Sequence, residues 1–174
     1  TIGTNGTSTT NVMPVNGGYT YSYANHLIQA SEINSGACYI SGIDFDYAGT
    51  TAMVNTTNCS IYICHTAMTV CDNFVNPADF TLVYVGPINF ATDGWNHIEF
   101  NQSTFAYNGT SNIMVGVVKN GTGSDVNANF RYQTMSESHT HRVYNNDTPY
   151  DMAAMAAATA SNSMWRPNMR LTTG

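Results

Sequence analysis

The sequence predicts an all-β fold: one domain over residues 1–174, built as an antiparallel two-sheet β-sandwich. Apolar and polar residues alternate with period two from end to end, and Gly, Asn and Asp punctuate the runs. A composition that is 43% hydrophobic, with 11 Tyr, 7 Phe and 2 Trp, supplies a core for the resulting sheets.

The elements follow in order. In "GGYTYSYANH", Tyr19, Tyr21 and Tyr23 occupy alternate positions, so an extended chain sets them in one row. That row suits a sugar-stacking platform, an edge of the core or a contact with another copy, and packing is the preferred reading. "YISGIDFDY" places Tyr39, Ile43, Phe45 and Tyr47 on one face, with Asp44 and Asp46 opposite. "CSIYICH" sends Ile61 and Ile63 one way and Tyr62 the other, and "FTLVYVG" follows. "WNHIEF" aligns Trp95 with His97, against Ile98 and Phe100. "NIMVGVVK" is continuously apolar, as in a strand covered on both faces. "NFRYQT", "HTHRVY" and "NMRLTT" complete the set, separated by turn signals such as Asp93-Gly94, Asn108-Gly109 and Asn120-Gly121. "DMAAMAAATASNSMW", within 151–165, has helical composition but no polar face; it reads either as a cap or loop on the sandwich or as an exposed Ala/Met patch.

Charged residues make up only 9% of the chain, and Lys119 is its single lysine. A net charge of −6 without a Lys/Arg cluster excludes nucleic acid and anionic membranes as expected partners. No apolar run reaches the ~18–20 residues of a membrane span, so insertion is not expected either. The start at Thr1 reads as a processed, mature product. Four cysteines, an even set without zinc-site spacing, imply two disulfides and an oxidising, extracellular setting. Cys59 and Cys64 face opposite sides of one strand, so Cys64–Cys71 is the best local pair and Cys38–Cys59 the remainder; the other two connectivities stay open. Sequons at Asn5, Asn55, Asn58, Asn101, Asn108, Asn120 and Asn146 mark expected exposed turns.

No nucleophile elbow, phosphate loop or dinucleotide fingerprint occurs, and Glu32, Glu99 and Glu137 are the only glutamates, so no catalytic residue is assigned. In "ESHTH", Glu137, His139 and His141 alternate as metal ligands could, but same-face positions on a strand lie ~7 Å apart, too far for one ion. A solvated polar face is the reading preferred over a metal-dependent hydrolase. No cofactor is required, though Asp44, Asp46 and Asp125 are candidate oxygen ligands for a structural calcium. Tyr19, Tyr21, Tyr23 and Trp95, with Tyr62 and Trp165 beside them, are the candidates for stacking on glycans.

The "TIGTNGTSTT…P" opening, "YTYSYANHLIQASEI", "FAYNGTSNIMVGVV" and the closing "WRPNMRL" resemble the jelly-roll modules of large secreted Bacteroidota surface proteins, related to cleaved-adhesin domains. The resemblance implies jelly-roll topology, a secreted or cell-surface location, and adhesive or structural work without catalysis. Such modules often carry an acidic residue where this chain has Lys119.

Sparse charge leaves edge strands without the lysines that usually guard them, and "TTNVMPV" could pair with a neighbour's open edge. The expectation is therefore a surface filament or assembly of identical copies. Contacts are expected from residues 1–15, at Ile2, Val12, Met13 and Val15, and from Met152, Met155, Met164 and Trp165. The alternative is a carbohydrate-binding or host-adhesion module.

Overall fold

The protein, described by a computed structural model over residues 1–153 and 160–174, is a sandwich of two antiparallel sheets. The first contains β1 (Ser8–Thr10), β3 (Cys38–Tyr47), β6 (Gly94–Glu99), β7 (Phe105–Tyr107), β9 (Phe130–Thr134), β12 (Trp165–Pro167) and β13 (Met169–Thr173). The second runs in the order β11 (Ser161–Ser163), β10 (Thr140–Asn145), β2 (Tyr21–Ile28), β8 (Asn112–Asn120), β4 (Cys59–Thr66) and β5 (Thr81–Gly86). One helical turn, α1 (Ala30–Ile33), follows β2 and ends at Asn34 in the left-handed conformation.

Side chains fill the space between the sheets from both sides. Phe45, Tyr47, Ile61, Ile63, Val115, Val117, Phe130 and Met169 are all fully buried there. Each such side chain contributes roughly 1.5–3 kcal/mol through removal from water. Strict alternation fails in β3. Its partners shift at Ser41: Gly42 pairs Thr172, but the next pair is Ile40 with Thr173. This bulge rephases the strand. Ile40 enters the core with Ile43, while Tyr39, expected inside, swings out to 61% exposure.

The second sheet is covered on its outer face as well. The segment after β4 packs Met68, Cys71, Val75 and Phe80 against Leu27, Cys64 and Met114. Beside it, Phe74, Tyr150 and Met152 close over Tyr23 and Val118. This accounts for the continuous burial of β8 and for the fate of the tyrosine row. Tyr23 is fully buried with its ring 4.6 Å from Phe74, and Tyr19 packs against Tyr144 at 4.4 Å. Tyr21 is partly exposed at the start of β2. Tyr23 therefore packs and offers no face to a sugar.

The cysteines depart from expectation. All four are free thiols, so neither Cys64–Cys71 nor Cys38–Cys59 is joined. Cys59 lies in the inter-sheet core, and Cys64 and Cys71 lie in the cluster on the far side of the second sheet. Cys71 is occupied by Asn25 O at 3.6 Å and Met114 Sδ at 3.8 Å. Burial pushes the Cys59, Cys64 and Cys71 thiols up to about 12.

The chain's own partners hold both ends. β1 pairs with β9, Ile2 N donates to Met169 O at 2.9 Å, and Gly174 exchanges both backbone hydrogen bonds with Tyr39 at 3.0 Å. Ile2, Met13 and Val15 are buried and Val12 is half-buried. Edges are guarded without lysine. Segment 101–103 lies along β5, where Asn101 bonds Val85 N at 3.0 Å and Val85 O at 2.7 Å, and Gln102 N donates to Val83 O at 3.0 Å. Among the other edge strands, β1, β7 and β11 are each only three residues long, whereas β6, six residues long, is paired with β3 alone among the described residues.

Candidate functional site

With the second sheet covered on both sides, the outer face of β3, β6 and β13 is where polar side chains meet solvent. Period-two alternation puts Asp44 and Asp46 of β3 there, and cross-strand register aligns Asp44 with His97 of β6 and Arg170 of β13. Asp44 accepts from both neighbours: its Oδ1 lies 2.5 Å from His97 Nδ1, and Arg170 Nε donates to its Oδ2 at 2.8 Å. His97 Nε2 lies 2.9 Å from Glu99 Oε2. Arg170 also sits over the Trp95 ring, 4.2 Å from its centroid. A second row repeats the pattern, with Arg131 donating to Asp46 at 2.9 Å and to Asp93 at 2.7 Å.

The Glu99 and Asp44 carboxylates, hydrogen-bonded to its two nitrogens, hold His97 above the ordinary histidine range. Protonated, it sits as a cation between two anions. Its side chain is 47% exposed and that of Glu99 68%, so both present themselves to solvent. His97, Ile98 and Glu99 line an open cleft of about 220 Å³, closed on the other side by Tyr84, Pro87, Ile88 and Asn89. The Tyr84 hydroxyl donates to Pro87 O and fixes the ring at the cleft wall. Pockets enclosing drug-sized ligands are larger, roughly 300–1,000 Å³. This cleft has room for one ring of an extended ligand.

The remaining candidates resolve individually. Asp44 and Asp46 are taken up by His97, Arg170, Arg131 and Asn168. Asp125 accepts from the backbone N–H groups of Val54 at 2.8 Å and Asn55 at 3.1 Å. Lys119, fully buried, supplies the positive charge nearby, donating to Tyr19 O at 2.6 Å, Gly123 O at 3.1 Å and Asn16 O at 3.4 Å. Among the described residues, no three His, Cys, Asp or Glu side chains converge as metal ligands.

The "ESHTH" segment is not the solvated face expected, because both histidines are buried while Glu137 is exposed. His141 Nδ1 meets Asn162 Oδ1 at 2.5 Å. His139 lies beside Arg166, whose guanidinium grips both oxygens of Glu32 at 2.6 and 2.7 Å. Burial would raise the Glu32 carboxyl, but the Arg166 hydrogen bonds and charge outweigh it and hold it below the usual range. Burial, with Arg166 adding to it, also lowers His139 and drives His26 down to about 3.

Met152 is half-buried against the Tyr23 cluster, Met155 lies outside the described residues, and Met164 and Trp165 are exposed. Sequence reasoning found Trp95 and the outward Asp44 and Asp46. It missed Tyr84 and Asn89, which reach the cleft only through the connection joining the two sheets. Among the described residues, no helix is long and apolar enough to cross a membrane.

No protein-family model and no curated protein matches the chain. Among solved structures, it is similar to the cysteine protease and lectin-like domains of Cwp84, a surface-layer-associated protein of Clostridium difficile, at a TM-score of 0.47 and 10% identity over 88% of this chain. The chain spans about a third of that structure's length, 32%.

Proposed function

We propose that the chain is a non-catalytic, extracellular adhesive module that binds a neutral saccharide in the cleft between His97–Glu99 and Tyr84–Asn89. The observation that carries this reading is the union of an aromatic wall with exposed polar groups in one open cleft. Among the described residues, neither Glu99 Oε1 nor the Asn89 amide is hydrogen-bonded within the chain. A carboxylate and an amide suit sugar hydroxyls, and the Tyr84 ring suits the C–H face of a pyranose. The cations of the outer face are matched by carboxylates, which favours an uncharged ligand over an anionic one.

The same geometry supports a binding role over catalysis. Both His97 nitrogens are engaged by carboxylates, so neither stands ready to take a proton from a nucleophile. Among the described residues, Glu99 is the single carboxylate lining the cleft, whereas glycoside hydrolysis normally uses a pair. Polymerisation through residues 1–15 would first require withdrawing Ile2, Met13 and Val15 from the core, so strand exchange is the less favoured route to adhesion. A glycan array tests the proposal: binding to neutral glycans that Glu99→Ala abolishes supports it, and an array silent for wild type removes it.

A further inference from the structure

We infer that the chain carries a second saccharide contact, formed by Trp165 and Tyr132, which makes it bivalent. The inference rests on the saccharide-binding reading and extends it to a different edge of the same sheet.

Register defines the platform. Tyr132 of β9 pairs with Ser8 of β1 on one side and Pro167 of β12 on the other, and Thr134 pairs with Trp165. Antiparallel partners share a face, so Ser8, Tyr132, Thr134, Trp165 and Pro167 stand together. On that face the Trp165 indole lies on the Tyr132 ring with centroids 4.5 Å apart and planes 24° from parallel. Trp165 keeps 39% of its surface exposed, and its neighbour Met164 keeps 49%.

The platform is rigid from below. Arg166 and Gln133, register partners facing the other way, are buried, and the Arg166 guanidinium is held by Glu32 and by Leu27 O at 2.8 Å. Gln133 donates to Ile2 O at 3.0 Å. An exposed indole thus stands on a fixed strand pair and is backed by a second ring, so little order is left to be imposed on binding.

The surroundings select the ligand class. None of the residues sharing the platform face is charged, and its polar groups are the exposed hydroxyl residues Ser8 and Thr134. A flat aromatic surface rimmed by hydroxyls fits the C–H face of an uncharged sugar ring. It offers nothing to an acidic or basic partner. The platform lies toward the β1–β9 edge, whereas the cleft lies on β6, paired along the opposite edge of β3 from β13. Two contacts set apart on one sheet let a single molecule bridge two chains or grip one chain twice, raising avidity without tighter single sites.

The chain has two tryptophans, so each contact can be read separately. In Trp95→Phe, Trp165 is the only indole. Its emission should change saturably on titration with at least one of cello-, xylo-, manno- and maltohexaose, and Tyr132→Ala in that background should weaken the response roughly tenfold. Trp165→Ala, with an unchanged melting temperature, should retain calorimetric binding at the cleft but no longer agglutinate beads coated with the same oligosaccharide. A flat Trp165 emission, with binding that Glu99→Ala removes, overturns the second contact and leaves the cleft standing. A Trp165 response, with affinity indifferent to Glu99→Ala, upholds the platform and overturns the cleft. Silence in both overturns both.

Discussion

The His97 ring lies directly against the backbone of Gly42: a Cβ on Gly42 would stand 2.7 Å from His97 Cε1 and 3.0 Å from Ile98 O. Glycine at this position lets the imidazole lie across β3 and reach both Asp44 and Glu99. Gly42→Ala should displace the ring, cost about 1–3 kcal/mol of stability from overpacking, and weaken ligand binding at the cleft. Denaturant titration and calorimetry on the folded variant check the two effects. Unchanged affinity would separate His97 from the site.

Buried histidines set the acid limit of stability. His26 and His139 are held neutral by burial, with Arg166 adding to it, and burial alone lowers His65. The unfolded chain takes up protons below about pH 6.5 and the native protein does not. Stability is therefore full above that value and falls as pH drops towards about 3 for His26, by up to about 1.4 kcal/mol per pH unit per proton. Glu32, held low, adds a loss of the same sign as pH falls through its native value. His97, held high, acts oppositely: its contribution is present at low pH and disappears as pH rises through its native pKa. Denaturation midpoints between pH 7 and pH 4 should decline, and His26→Gln should flatten the decline.

Thiol accessibility tests the cysteine arrangement. Cys38 is half-exposed, and the other three are buried. A thiol reagent should label Cys38 in the native protein and all four thiols after unreduced protein is unfolded. Fewer than four in denaturant would restore a disulfide.

Calcium should matter little. Asp44, Asp46 and Asp125 are committed to N–H donors, and the Lys119 ammonium occupies a ring of three carbonyl oxygens. A chelator should leave the melting temperature unchanged. Lys119→Met should lower stability by roughly 1–3 kcal/mol by stranding those carbonyls.

The sandwich was legible because alternation and turn residues act locally. Ile61 and Ile63 against Tyr62, and Ile98 against His97, fall where period two puts them. Tyr39 was misplaced because a bulge at Ser41 leaves no mark in the pattern. His139 and His141 looked solvated because their cover, Asn162, Arg166 and Phe74, comes from distant segments. The cover over the β5 edge was hidden for a similar reason. Asn101 and Gln102 shield β5 through backbone contacts that composition does not reveal. For the cleft, the alternation of β6 was readable, but the residue singled out there was Trp95, which does not line it; Tyr84 and Asn89 join His97 and Glu99 only through tertiary folding.

The most direct test is isothermal titration calorimetry of wild type and Glu99→Ala with a neutral oligosaccharide that wild type binds. The account predicts at least about a tenfold loss of affinity with an unchanged fold, since a hydrogen bond to a charged group is worth ~1.5–3 kcal/mol. Equal affinity in the two proteins would contradict it.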